Sequence, residues 1–79
     1  MLNETKVGDV LRLRREWNEL PKRHWVVVEV GEKVALRHMT AEPARLTSWV
    51  IHIEADDLRR FDKLRTTMPV HILNEHSIG

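Results

Sequence analysis

The stretch RHWVVVEVGEKVALRHM, Arg23 to Met39, decides how the rest of the chain is read. It is rich in β-branched residues from Trp25 to Val30 and again from Val34, with Gly31 between, and so predicts two strands folded back on a turn. Two registers compete. A two-residue loop, Gly31-Glu32, puts Gly where a type II′ turn wants it. It sets Val28 beside Ala35 and Val26 beside Arg37, and splits the apolar residues between the faces. A three-residue loop, Gly31 to Lys33, instead gathers Val26, Val28, Val30, Val34 and Leu36 on one face. Trp25, Val27, Glu29, Ala35 and Arg37 then share the other. A slip of one residue exchanges the faces, so burial favours the second register, and a bulge would reconcile it with the turn chemistry. In that register Trp25 and Arg37 lie outside together, while His38 points inward near the strand end.

Upstream, VGDVLRLRR (Val7 to Arg15) opens on a Gly8-Asp9 turn signal and then alternates, with Leu11 and Leu13 on one side and Val10, Arg12 and Arg14 on the other. That is a half-buried strand. EWNELPKR, Glu16 to Arg23, breaks the pattern: Asn18 and Pro21 suit an irregular connection or a short helical turn, and Trp17 and Leu20 are expected to fold over the core as a lid. Downstream, TAEPARLTS (Thr40 to Ser48) reads as a polar connection. WVIHIE (Trp49 to Glu54) alternates again, with Trp49, Ile51 and Ile53 inward and Val50, His52 and Glu54 outward. ADDLRRFDKLR carries Leu58, Phe61 and Leu64 or Arg65 at helical spacing, acid first and base last, which predicts a helix of two to three turns. Pro69 would end it, VHIL (Val70 to Leu73) would add a last short strand, and residues 74–79 read as a tail.

The 79 residues therefore form one small domain, with an ordered core over about residues 6–73. A chain this short buries only roughly 60% of its unfolded surface, which leaves little room for a deep catalytic cleft. Apolar residues at 42% and charged residues at 32% fit a globular protein rather than a disordered one. There is no Cys, so neither a disulfide nor a thiolate metal site is available. The start, MLNETKVGD, shows no apolar run behind a basic segment, and the longest apolar stretch is far too short to span a bilayer. A cytoplasmic protein with no membrane partner is expected. Thirteen basic side chains stand against twelve acidic ones, so any basic patch must come from arrangement and not from net charge.

Four or five short strands, a long first connection and a tight second one describe a mainly β fold, a small antiparallel barrel with a short C-terminal helix. The onset VGDVLRLR, the loop after it and the hairpin WVVVEVGEKVAL resemble a KOW-type or SH3-like barrel over roughly residues 6–54. The resemblance implies a module that binds nucleic acid or peptides.

Chemistry is sparse. His24, His38, His52, His71 and His76 form no ligand set with metal spacing, so no metal or other cofactor is expected. Ser48 and Ser77 lack a placed base, and adjacent Asp56 and Asp57 read as a helix N-terminus and not as a catalytic pair. No small-molecule substrate is evident, and the chain is read as a non-enzyme.

The basic residues say more. Arg12 and Arg14 on the first strand, Arg37 with Trp25 on the hairpin, Lys22 and Arg23 in the loop and His52 on the fourth strand would border one face. Arg and Lys there would meet phosphates while a base stacked on Trp25. Arg59, Arg60, Lys63 and Arg65 form a second basic side beside Leu58 and Phe61, more simply read as the wet side of an amphipathic helix. The leading expectation is a bacterial or phage accessory module that binds nucleic acid. The rival is a protein-interaction module that docks a partner protein or homodimerises, through the same face or an edge strand.

Overall fold

The computed structural model describes residues 5–21, 23–41 and 43–68. Five strands, β1 (Asp9–Leu13), β2 (His24–Val30), β3 (Lys33–Ala41), β4 (Ala44–Glu54) and β5 (Phe61–Thr67), form one antiparallel sheet in the order β4-β3-β2-β1-β5. β4 and β5 lie at opposite edges, so the hydrogen-bonded ladder is open among the described residues. No described helix is long and apolar enough to cross a membrane.

The β2–β3 hairpin uses both registers. Val30 faces Val34 and Glu29 faces Ala35, as a three-residue loop demands. Beyond a bulge between Val27 and Glu29 the pairing becomes Val27 to Leu36, Val26 to Arg37 and Trp25 to His38, the two-residue register. The bulge turns over the outer half of β2, which corrects the expected faces. Trp25 and Val27 join Val34 and Leu36, and with Leu11, Leu13, Ile53, Leu58 and Phe61 they build the main core. Trp25 is fully buried at 0% exposure, so the expectation of an outward Trp25 falls. The opposite face is not bare either: Val10, Val26, Met39 and Leu46 form a second, smaller core with Val28, Leu64 and Met68 against it.

The strand onset is tightly built. Gly8 takes φ +100°, and a Cβ there would meet the Met68 carbonyl oxygen at 2.7 Å, so only glycine fits. Asp9 is buried, accepts the Lys6 backbone N–H at 2.9 Å and lies 3.4 Å from the Lys63 ammonium.

Two other expectations are corrected. The predicted polar connection from Thr40 to Ser48 is a hairpin, in which Thr40 pairs with Arg45 and Met39 with Leu46. A β4 irregularity opposite His38 adds two residues to the strand, and the polar run Thr47-Ser48 that it contains reads as a loop in the sequence. The predicted helix from Ala55 to Arg65 is a 3-10 helix over Ala55–Arg60 that runs straight into β5. Leu58 and Phe61 lie three apart, the spacing that stacks side chains on one side of a 3-10 turn, and both are buried. Their burial satisfies the apolar pattern with one short turn. Phe61, Asp62 and Lys63 are then free to pair with Leu13, Arg12 and Leu11 along the open edge of β1. The acidic start serves as a capping box: the Asp57 carboxylate accepts the Glu54 backbone N–H at 3.2 Å. The expected strand Val70–Leu73 and the tail 74–79 lie outside the described residues.

Candidate binding site

The basic residues chosen from alternation do not form one site. Arg12 is exposed and reaches Asp62 at 3.8 Å. Arg37 is half-buried between Val26 and Val50, and its Nε donates to the Thr47 carbonyl. Two strand spacings of roughly 5 Å separate β1 from β3. Buried Val10 and Val26 fill the gap between Arg12 and Arg37. His52 is exposed on the edge strand β4, Arg23 lies just before β2 in the loop, and Lys22 is outside the described residues. Trp25 points into the opposite, main core.

Arg14 is different, because the β1–β5 register carries it to the second basic group. Leu13 pairs with Phe61, and one step further the Arg14 backbone N–H donates to the Arg60 carbonyl at 3.1 Å. The residues next outward are Arg15 and Arg59. Arg14, Arg15, Arg59 and Arg60 consequently line one depression with Glu16 and Trp17. Placing like charges opposite one another costs stability in a sheet. Part of that cost is met by Asp62, 3.8 Å from Arg14, and Asp57, 3.3 Å from Arg60. Arg15 and Arg59 have no carboxylate at ion-pair distance among the described residues.

Trp17 is held over this depression by strained backbone. Trp17 and Leu20 exchange both backbone hydrogen bonds, at 3.2 and 2.8 Å, around a two-residue turn. Asn18 and Glu19 there take φ +53° and +66°, as a type I′ turn requires. Leu20 is buried in the main core and Trp17 packs against it, which is the lid read from the sequence. The Arg60 guanidinium lies over the Trp17 ring, 4.5 Å from its centroid. A loop and a 3-10 turn thus supply an arginine-rich wall with an aromatic floor.

A second cluster is formed by β2, β3 and β4. Trp25, His38 and Trp49 make edge and tilted ring contacts with centroids 5.1–5.4 Å apart. The Thr47 hydroxyl donates to the His38 carbonyl at 3.3 Å and accepts the Trp49 backbone N–H at 3.2 Å. His38 Nδ1 lies within hydrogen-bond distance of Thr47 Oγ1, at 3.1 Å. His38 Nε2 and Trp25 Nε1 are buried with no hydrogen-bond partner among the described residues. Burial, then the nearby charges of Arg23 and His24, hold the His38 pKa below the usual histidine value. No described group of three or more His, Cys, Asp or Glu side chains converges as a metal site would.

Comparison with protein-family models, curated proteins and solved structures returns no match. The site therefore rests on its own geometry. RREW and LRR were visible as basic runs, but their meeting depends on the β1–β5 register, which a helical reading of residues 55–65 conceals.

Proposed function

We propose that the chain is a non-enzymatic module that binds nucleic acid through the depression lined by Arg14, Arg15, Arg59 and Arg60. The supporting observation is the convergence of these four arginines beside Trp17, two of them without an acidic partner among the described residues. Phosphates compensate such a cluster, and arginine engages them with paired, charge-assisted hydrogen bonds. The near-neutral net charge is no obstacle, because four of the thirteen basic residues gather at one end of β1. The same reading takes the fold as an SH3-like barrel. It is supported by the strand order, the long first connection, the tight second one and the single 3-10 turn before the last strand. Binding of labelled oligonucleotides across a salt series tests the function. Neutralising about four phosphates gives a log–log slope of roughly −3 to −4. Absence of binding to any single- or double-stranded DNA or RNA at low salt would sink the proposal.

The protein-partner reading has its own observation. β4 is an edge strand and exposes Trp49 on one face and Val50 on the other, each 42% accessible. Strand addition there, by a partner protein or a second copy, would cover both. Sedimentation of the wild type and of Val50→Lys tests self-association: a monomer at high protein concentration removes the homodimer.

A further inference from the structure

We infer that the arginine depression selects single-stranded over duplex nucleic acid, and that the group on which a base stacks is the Arg60 guanidinium and not a tryptophan ring. This rests on the nucleic-acid reading above. The Trp17 ring is already engaged, packed against the core and covered by Arg60. Arg60 is fixed twice, by the ring beneath it and by Asp57, which takes its Nε at 3.3 Å. The terminal Nη nitrogens are not used by those contacts, and the side chain is 40% exposed. A guanidinium plane held this way is a platform for an unstacked base, and its edge can meet a phosphate. Arg14, Arg15 and Arg59 around it supply the charge that tracks a backbone.

Shape points the same way. Duplex DNA is read by a convex element, a helix or ribbon, entering a groove. Here the arginines line a concavity of about 620 Å³ between a hairpin tip and a 3-10 turn. A concave wall of arginines meets a splayed nucleotide on several sides, whereas a double helix would present it only a convex backbone.

The test compares three probes on the full chain at one salt concentration: a short oligothymidine, the same strand annealed to oligoadenine, and base-free polyphosphate. The single strand should bind at least about tenfold more tightly than the duplex. Arg60→Lys keeps the charge and loses the plane. It should weaken oligothymidine about tenfold and polyphosphate less than about twofold. Duplex binding as tight as single-strand binding overturns the strand preference while leaving nucleic-acid binding intact. Equal loss of oligothymidine and polyphosphate affinity overturns stacking on Arg60. If neither oligonucleotide binds, this inference and the function beneath it both fall. Should Arg60→Lys fail to fold by circular dichroism, Asp57→Ala removes the acceptor that fixes the guanidinium and leaves the guanidinium itself in place. The single-strand preference must then shrink; an unchanged preference overturns the role of a fixed Arg60.

Discussion

Two tryptophans follow basic residues in this chain, in RREW and in KRHW, and their fates are opposite. Trp25 lies in a central strand, flanked in the ladder by Leu11 and His38, and is wholly buried. Trp17 lies at a chain reversal, half-buried, with an arginine over its ring. A residue in a central strand has a neighbouring strand on both sides, and in this fold both sheet faces there are packed. Basic neighbours in sequence then mean little, because alternation and pairing send them elsewhere. At a reversal, side chains from different elements converge, and adjacent basic residues stay together. The difference teaches that charge next to an aromatic predicts a site only where the chain leaves the ladder.

Truncating the two rings is the strongest way to break that comparison. Trp25→Ala should cost about 3–5 kcal/mol, the range for a buried aromatic, which for a domain this small means loss of most cooperative folding. Trp17→Ala should cost only about 1–2 kcal/mol. Thermal melts of both separate them; similar costs would contradict the assigned roles. A binding measurement comes next. Arg15→Ala with Arg59→Ala should flatten the salt slope by roughly 1.5–2. Arg37→Gln with His52→Gln should leave it nearly unchanged, since those side chains stand on β3 and β4. Equal effects would return the site to the strand face.

How much of this was legible follows the same division. The strands of Leu11 and Ile53 are legible because apolar alternation reports burial, and those of Val27 and Leu36 because β-branched residues flank Gly31. The lid formed by Trp17 and Leu20 was readable because a small domain has few other uses for them. The face of Trp25 was not, since a bulge at Val28 consumes one residue of register and leaves no mark in composition. Nor was β5: Leu58 and Phe61 satisfy helical spacing and a 3-10 turn followed by a strand equally well. The candidate site depended on that second ambiguity, so its parts were visible and their meeting was not.

The Trp25–His38–Trp49 cluster gives a pH-dependent contrast with the arginine depression. His38 has a folded pKa held below its unfolded value of about 6.5 by burial and by Arg23 and His24. The unfolded chain therefore takes up the proton more readily. His38 costs nothing above pH 6.5, and its neutral form becomes a liability as pH falls below it. Stability should drop with a slope of at most about 1.4 kcal/mol per unit until the folded pKa is reached. Melts at pH 7.5 and 5.5 should differ more for the wild type than for His38→Gln, because most carboxylates stay ionised over that window. Equal pH dependence would free His38 of the role.

The smallest expected effect probes the turn that holds Trp17. Glu19 at φ +66° carries a left-handed conformation that costs an L-residue roughly 1–2 kcal/mol. Glycine removes that cost but adds roughly 0.5–1 kcal/mol of unfolded-state entropy. Glu19→Gly should thus stabilise by about 0.5–1 kcal/mol, raising the melting temperature by about 2–8 °C. Asn18→Gly should gain less, since asparagine tolerates φ +53° better than glutamate tolerates its own angle. Because the backbone hydrogen bonds between Trp17 and Leu20 do not involve the Glu19 side chain, oligonucleotide affinity should hold as stability rises. A gain in stability with lost affinity would mean that a stiff turn, and not only the arginines beside it, keeps Trp17 beneath Arg60.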